Sequence, residues 1–363
     1  MAREKKLWLI VALFSVAILH MQLGVRGVMN PKVPCLFIFG DSLSDSGNNN
    51  NLPTDAKVNY SPYGIDFPGG ATGRFTNGRT AVDILTQRLG FKNFIPPFAN
   101  TSGSDTLQGV NYASGSAGIR HETGTHLGTD ISLELQLTHH RTIVSQISNR
   151  LGGVDKAQQH LNKCLYYMNI GSNDYMNNYF VPQHYPTSRT YNLEQYAKAL
   201  IQQYSQQIKA LHQTGARKFA LIGLGFVGCA PHEIATHEKK GPSGCVDEEN
   251  EAVLIFNDLL KSLVDQFNNE LSDSKFIYVN NALIATNSTE LAGLKNISTG
   301  CCQVGDNGQC IPNRTPCKDR KLYAFWDSFH PTEIINKVVA KRTYRASTPS
   351  YTHPMDIQTL VKL

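Results

Sequence analysis

Short apolar segments alternate along this chain with long segments of amphipathic, helical period. Five apolar segments are short enough to be strands buried on both faces. They span residues 35–39, 110–113, 164–170, 218–222 and 275–279. Long helices are predicted over residues 192–212 and 246–271, and a last helix is predicted to have Pro331 in its first turn. This alternation predicts an α/β domain with a parallel five-stranded sheet between two layers of helices.

The N-terminus has the layout of a secretory signal peptide. Basic residues precede an apolar run over residues 7–19, and Gly27 follows where a small residue suits cleavage. The run is shorter than the ~20 residues that a transmembrane helix needs. We therefore expect a signal peptide at residues 1–27 and a single mature domain at residues 28–363. An uncleaved signal anchor is the alternative.

The charge and hydropathy of the remaining chain argue against two classes of partner. The formal charge of +5 falls to +2 when residues 1–27 are removed, and no Lys/Arg cluster remains. A nucleic-acid partner is therefore not expected. No second long apolar run follows, so the mature chain is expected to have no stable membrane span. The sequence does not determine the oligomeric state.

The cysteine and sequon content agrees with export. All eight cysteines lie beyond the predicted signal peptide, at positions 35, 164, 229, 245, 301, 302, 310 and 317. An even number in such a chain favours disulfides. A zinc site is the alternative, but the chain has no Cys-x-x-Cys pair and no nearby His-x₃-His pair. Five sequons, which predict a secreted glycoprotein, begin at Asn59, Asn100, Asn287, Asn296 and Asn313.

Polar residues follow three of the predicted strands, at the sheet edge where ligands bind in parallel sheets. Ser42 comes directly after the first strand, in the sequence Gly-Asp-Ser-Leu-Ser-Asp-Ser-Gly. Gly115 follows the second strand and Asn173 follows the third. A backbone N–H and a side-chain amide are donors suited to a developing oxyanion in acyl transfer. Each segment by itself is equally typical of an ordinary loop.

Near the C-terminus, Asp327 and His330 form an Asp-x-x-His pair. Asp327 is the only aspartate that is followed by a histidine three residues later. A serine nucleophile needs a base within hydrogen-bond reach, and the base needs an acceptor that orients it. One turn of chain supplies both. His139 and His140 lie in a helical pattern and are expected at the surface.

Four blocks of sequence resemble those of the plant GDSL esterase/lipases, in the SGNH hydrolase superfamily. In chain order they are residues 37–50 (FIFGDSLSDSGNNN), 109–115 (GVNYASG), 170–175 (IGSNDY) and 325–333 (FWDSFHPTE). They occur in family order and span nearly the whole mature chain. The resemblance implies a three-layer, flavodoxin-like SGNH-hydrolase fold.

The resemblance also implies a role for each site residue. Ser42 would be the nucleophile, His330 the general base, and Asp327 the group that orients the imidazole. The Ser42 and Gly115 N–H groups and the Asn173 amide would form the oxyanion hole. The implied reaction is carboxylic-ester hydrolysis through an acyl-enzyme, with no metal and no organic cofactor.

Two disulfides follow from the same resemblance. The family's sheet places the first and third predicted strands side by side, and Cys35 and Cys164 begin these strands, so we expect them to be bonded. The family also implies a Cys229–Cys245 bridge. The pairing of the four cysteines within residues 301–317 stays open, because two of them are adjacent.

A Gly-x-Gly-x-x-Gly sequence at residues 223–228 follows a predicted strand and is typical of dinucleotide sites. Cys-Ala-Pro comes next, so no helix is expected to begin there and no dinucleotide site is predicted. Four aromatic residues downstream of Ser42 are candidates either for a substrate pocket or for ordinary packing: Tyr60, Tyr63, Phe67 and Phe75.

Two functions from other classes stay open beside ester hydrolysis. An acyltransferase would use the same residues, with an alcohol or sugar in place of water. A binding protein could use the same scaffold without catalysis, although the intact set of site residues argues against it. The substrate is expected to be a small-molecule or polymer-borne ester. The sequence does not identify this ester, nor does it distinguish the apoplast, the cell wall and the vacuole.

Overall fold

The computed structural model describes residues 31–101, 103–237 and 240–363. The predicted signal peptide at residues 1–27 lies outside the described residues. Lys32–Leu363 form one compact unit. No helix among the described residues is long and apolar enough to cross a membrane.

Parallel strands form the centre of the fold, as the apolar segments predict. They pair in chain order: β1 (Leu36–Gly40), β2 (Leu165–Asn169), β3 (Lys218–Ile222) and β4 (Lys275–Val279). A separate two-stranded parallel sheet consists of β5 (Asn296–Gly300) and β6 (Tyr323–Phe325).

The fifth strand of the main sheet differs from the prediction. It is β7 (Thr352–His353), which lies antiparallel to β4. Residues 110–113 do run parallel beside β1, since Ile38 N–H donates to Val110 O at 3.0 Å and Tyr112 N–H donates to Ile38 O at 2.8 Å. They form only isolated bridges at Asn111, however, and no regular strand. The predicted all-parallel five-stranded sheet was therefore wrong in this detail, because the fifth strand is the antiparallel β7.

Two layers of helices cover the sheet. The α-helices are α1 (Ala81–Leu89), α2 (Leu133–Leu151), α3 (Val154–Leu161), α4 (Ser172–Asp174), α5 (Thr187–Thr190), α6 (Leu193–Gln213), α7 (Pro231–Thr236), α8 (Asp247–Glu270), α9 (Asn281–Asn287), α10 (Glu333–Tyr344) and α11 (Ile357–Leu360). A π-helical turn spans Tyr175–Tyr179. Short 3₁₀ turns span Phe98–Asn100, Gly103–Gln108, Thr125–Leu127, Val227–Cys229, Thr289–Leu291, Arg320–Leu322 and Pro349–Tyr351.

Alternate strand residues point to opposite layers, as the period of two in a strand requires. On one face, Phe37 and Phe219 pack in a buried cluster with residues of α2, α6 and α8. On the other face, Ile38 and Ala220 pack with residues of α1, α9 and α10. The predicted three-layer α/β class is therefore confirmed.

Three local predictions were wrong. His140 is fully buried on the packed stripe of α2, its Nδ1 lies 3.0 Å from Tyr112 Oη, and burial lowers its pKa to about 3. The glycine-rich loop at residues 223–228 is followed by a helix after all, since α7 begins at Pro231. Pro331 precedes the N-cap Thr332 of α10 and so lies just outside that helix.

All eight cysteines lie among the described residues and are paired, with none free. The predicted Cys35–Cys164 and Cys229–Cys245 disulfides are both present. The pairing that the sequence left open is Cys301–Cys317 with Cys302–Cys310.

Removing the Cys35–Cys164 bridge by a double Cys→Ala substitution should destabilise the fold more than removing Cys229–Cys245. The first joins residues 129 apart and the second joins residues 16 apart. Loop-closure entropy predicts losses of about 5 and about 3 kcal/mol. Guanidinium unfolding of the two double variants measures the difference. Equal losses, or reactive thiols in the unfolded, unreduced wild type, would contradict the assignment.

Candidate active site

The ends of neighbouring strands bring the predicted residues to one edge of the sheet. Ser42 follows the last residue of β1, Gly40, and Asn173 lies in α4, shortly after β2. A Cβ at Gly40 would lie 2.6 Å from Asn169 O, so glycine permits β1 and β2 to approach closely at this point. Gly115 follows the segment that bridges to the other side of β1.

Ser42, His330 and Asp327 form a continuous hydrogen-bonded relay. His330 Nε2 lies 2.8 Å from Ser42 Oγ. His330 Nδ1 lies 2.8 Å from Asp327 Oδ2. Serine, imidazole and carboxylate in this order have the geometry of a serine-hydrolase triad.

Local chain geometry fixes the Asp-x-x-His turn. Asp327 is fully buried. Its Oδ1 accepts the backbone N–H groups of Phe329 at 2.8 Å and His330 at 2.7 Å. The imidazole also packs against the Phe75 ring, with centroids 4.8 Å apart. The same aspartate therefore shapes the turn and orients the histidine ring.

Tyr63 is a functional candidate whose role the sequence did not reveal. Its hydroxyl donates to Asp327 Oδ2 at 2.6 Å and accepts the Cys310 backbone N–H at 3.1 Å. The side chain is buried, and burial raises its pKa well above the usual tyrosine value. Tyr63 thus extends the hydrogen-bonded relay from Asp327 to Cys310, which is disulfide-bonded to Cys302.

The three predicted oxyanion donors differ in their hydrogen bonding. Ser42 N–H has no acceptor within the described ranges. Asn173 Nδ2 donates to Ala117 O at 3.0 Å, and its Oδ1 accepts from Asn177, so the amide nitrogen has one N–H left over. Gly115 N–H donates to Asp45 Oδ2 at 3.2 Å. The structure thus leaves the first two donors available and engages the third.

Two buried side chains, which the sequence analysis did not identify, fix the segment around Ser42. The Gln136 amide accepts from Gly40 N at 3.0 Å and donates to Gly40 O at 2.8 Å. Asp45 Oδ1 accepts from the N–H groups of Gly47 at 2.7 Å and Asn48 at 2.8 Å. The Gln136 amide thus hydrogen-bonds to the last residue of β1, and Asp45 satisfies backbone groups in the loop that follows this strand.

Four buried carboxyl groups near this edge have raised pKa values, and burial is the main cause in each. The pKa rises to about 7 for Asp41 and Asp130, and to about 6 for Asp45 and Asp174. Asp41 differs from Asp45 and Asp174 because its Oδ2 has no hydrogen-bond partner in the described ranges.

Two clusters of side chains in the described part of the chain combine ligand types suited to metals. Cys35, His160 and Cys164 form one of them, but both cysteines are in a disulfide. Glu233, His237 and Glu249 form the other, at the junction of α7 and α8. Neither cluster includes a member of the Ser42 relay.

Replacing Asp41 by Asn should stabilise the protein most at high pH. The folded-state pKa lies above the unfolded value, so Asp41 favours folding fully only below about pH 4, and that contribution disappears as pH rises to about 7. The asparagine keeps an acceptor for Leu43 N–H and does not titrate. The variant should exceed wild type by up to about 4 kcal/mol at pH 8 and by less at pH 5.

Chemical unfolding at both pH values measures this difference. Asp155→Asn, on the exposed start of α3, is the control and should show no pH-dependent gain. A gain for Asp41→Asn that is the same at pH 5 and pH 8 would contradict the expected burial effect.

Comparison with solved structures finds hydrolases at low similarity. LAE5, an α/β hydrolase from the metagenome of Lake Arreo, is 15% identical, with 86% of this chain and 94% of that chain covered and a TM-score of 0.40. An extracellular lipase from Streptomyces rimosus is 15% identical, with 82% and 92% covered and a TM-score of 0.35. Because both TM-scores are low, the family assignment depends on sequence.

Sequence comparison gives the stronger result. A family model described as GDSL-like lipase/acylhydrolase matches residues 36–343. A GDSL esterase/lipase of Arabidopsis thaliana is 48% identical over 359 residues, which cover 97% of this chain and 98% of the relative. Another from the same plant is 49% identical over 348 residues, which cover 93% and 94%. The chain therefore belongs to the GDSL-like lipase/acylhydrolase family.

Proposed function

We propose that this protein is a secreted serine carboxylic-ester hydrolase that forms an acyl-enzyme on Ser42. The observation that supports this most directly is the relay of Ser42, His330 and Asp327, with 2.8 Å at both links. Membership in the GDSL family supports the ester-hydrolase class independently.

In the acylation step, Ser42 Oγ attacks the ester carbonyl carbon. His330 Nε2 accepts the hydroxyl proton as the new C–O bond forms, and then donates this proton to the leaving alkoxide as the ester C–O bond breaks. Asp327 accepts from Nδ1 throughout, so it stabilises the imidazolium and keeps Nε2 directed at the serine. The products of this step are a free alcohol and an acyl-serine.

The negative charge that develops on the carbonyl oxygen needs hydrogen-bond donors. Ser42 N–H and the free N–H of Asn173 supply them in this proposal. Gly115 N–H would contribute either by donating to the substrate oxygen and to Asp45 Oδ2 at once, or by giving up its hydrogen bond to Asp45 Oδ2. That bond is the longest of the three on this carboxylate, at 3.2 Å against 2.7 and 2.8 Å. It is therefore the one most easily given up.

In the second step, His330 removes a proton from water, and the hydroxide oxygen attacks the acyl carbon. The acid leaves and Ser42 recovers its proton from the imidazolium. An alcohol that takes the place of water would make the same site an acyltransferase. The substrate class is an ester borne by a small molecule or a polymer.

Secretion is supported by three features of the chain. The N-terminal sequence resembles a signal peptide, and four disulfides suit an oxidising compartment. Asparagines of four sequons are exposed, at Asn59, Asn100, Asn287 and Asn313, and Asn296 is half-buried. We therefore propose an extracellular glycoprotein, in the apoplast or cell wall, with the vacuole as the alternative compartment.

The deciding experiment compares Ser42→Ala with wild type in the hydrolysis of p-nitrophenyl acetate and butyrate. Loss of the nucleophile should lower kcat by roughly 10³-fold or more. Ser44→Ala is the matched control, since Ser44 is buried two residues away and its Oγ has no partner in the described ranges. Folded wild type without turnover, and without labelling of Ser42 by a fluorophosphonate, would overturn the proposal in favour of a binding scaffold. An added alcohol acceptor that yields a new ester would identify acyl transfer.

Tyr63→Phe should lower kcat about tenfold with little change in KM. The substitution removes a hydrogen bond to the charged Asp327, which is worth roughly 1.5–3 kcal/mol, and part of this is lost in the transition state. Tyr60→Phe is the control, because the Tyr60 hydroxyl donates to Cys310 O at 2.9 Å. Equal kcat for Tyr63→Phe and wild type would show that the Tyr63 hydroxyl is only structural.

A further inference from the structure

Two glutamates and a histidine converge where α7 meets α8. Glu233 lies in α7, His237 directly follows this helix, and Glu249 lies in the first turn of α8. One ligand atom from each side chain lies within 4.8 Å of the other two. These residues take no part in the proposed ester hydrolysis, whose steps use Ser42, His330 and Asp327.

Among the described residues, no hydrogen bond compensates for burial of the Glu249 carboxyl group. Its side chain is 1% exposed, and neither carboxyl oxygen has a hydrogen-bond partner among the residues described. The nearby Glu233 is also buried, with 7% of its side chain exposed. Burial of carboxylates without hydrogen bonds is costly, so a cation between the two would offset that cost.

The histidine is oriented as a metal ligand would be. Nδ1 of His237 lies 3.1 Å from the backbone O of Glu233 and 3.6 Å from Oε2 of the same residue, so a proton on Nδ1 donates to the nearer carbonyl. Nε2 is then a bare nitrogen, and it lies 3.4 Å from Glu249 Oε1. A backbone acceptor on one ring nitrogen is the usual support for metal binding by the other. The ring is 37% exposed, which leaves an approach from solvent.

We propose that Glu233, His237 and Glu249 bind a divalent first-row metal ion, with Zn²⁺ as the representative. One imidazole and two carboxylates are ligand types that Zn²⁺ accepts, and water would complete four-coordination on the exposed side of His237. The two negative charges of the carboxylates match the charge of the ion. The competing account is a proton shared between Glu233 and Glu249, which needs no metal.

A metal at this junction would act on the neighbouring active-site turn through α7. His232 N–H, in α7, donates to Ser328 O at 3.0 Å. The His232 ring lies 4.7 Å from the ring of Phe329, the residue before His330. On the other side, the Cys229–Cys245 disulfide already joins the segments that precede α7 and α8. The ion would thus be a second cross-link, which fixes α7 to α8 and supports the turn that contains His330.

The test is zinc binding by the mature protein without a polyhistidine tag. After removal of metals by a chelator, the protein is titrated with Zn²⁺ in a calorimeter, and bound zinc is counted by mass spectrometry after dialysis. We expect one ion per chain. Glu249→Gln and His237→Gln should each weaken binding at least about tenfold. Glu248→Gln, an exposed glutamate one residue away, should bind as wild type does.

Thermal unfolding with and without Zn²⁺ separates a lost site from a lost fold. Without metal, Glu249→Gln should be at least as stable as wild type, because it removes a buried carboxyl group whose oxygens have no hydrogen-bond partner among the described residues. With Zn²⁺, wild type and Glu248→Gln should gain in Tm, and Glu249→Gln should not. The proposal would be overturned if wild type showed no saturable zinc binding, or if Glu249→Gln bound zinc with unchanged affinity. Either result would favour the competing account, in which Glu233 and Glu249 share a proton. None of these readouts depends on esterase activity.

Discussion

The parallel pairing of β1 with β2 is the constraint on which the position of Ser42, the proposed nucleophile, depends. Gly40 is paired with Asn169 at the last step of this ladder. Because Gly40 has no side chain, β1 and β2 can approach closely there. The Gln136 side-chain amide hydrogen-bonds to both the N–H and the carbonyl O of Gly40. The direction in which the chain leaves β1 is therefore fixed two residues before Ser42. If the chain were flexible directly after Gly40, the distance from Ser42 Oγ to His330 Nε2 would not be fixed.

The proposed base, His330, and its partner Asp327 come from a different part of the molecule. They follow β6, which pairs with β5 outside the main sheet, and they pack over a small buried cluster that includes Tyr63 and Trp326. Such a cluster buries little apolar surface by itself. Two of the four disulfides, Cys301–Cys317 and Cys302–Cys310, lie in it. Two disulfides thus cross-link this small cluster beside His330, where the burial of apolar surface alone contributes little stability.

The candidate site residues could be predicted from the sequence more readily than the side chains that support them. Ser42 and Asn173 lie just after strands and Asp327 forms a local pair with His330, but each segment by itself is also typical of an ordinary loop. Their roles were predicted from the resemblance of four ordered sequence blocks to the GDSL family. Tyr63 contacts Asp327 across 264 residues, and no local pattern predicts such a contact. β7 is too short for periodicity to detect.

The fifth strand and the buried histidine were mispredicted for separate reasons. Residues 110–113 hydrogen-bond to β1 as an apolar segment beside a strand should, but they form only isolated bridges, and the two-residue β7 is the fifth strand of the sheet. His140 was placed at the surface by residue type, although its spacing from Leu133 and Leu137 on α2 puts it on the buried stripe. Residue type was thus a poorer guide than helical period at this position.

The buried carboxylates explain how irregular loops can form a rigid site. Asp174 accepts the N–H groups of Ile119 at 2.8 Å and Arg120 at 3.0 Å, much as Asp45 accepts those around Ser42. A carboxylate offers more acceptor positions than an amide, so one side chain can satisfy several backbone donors. Burial nevertheless remains the larger effect, since it raises the pKa of Asp45 and Asp174 to about 6 against the lowering effect of these hydrogen bonds. The folded state therefore binds these two protons more readily than the unfolded state, and the cost of burying the two charges is lost as pH falls from about 6 to about 4.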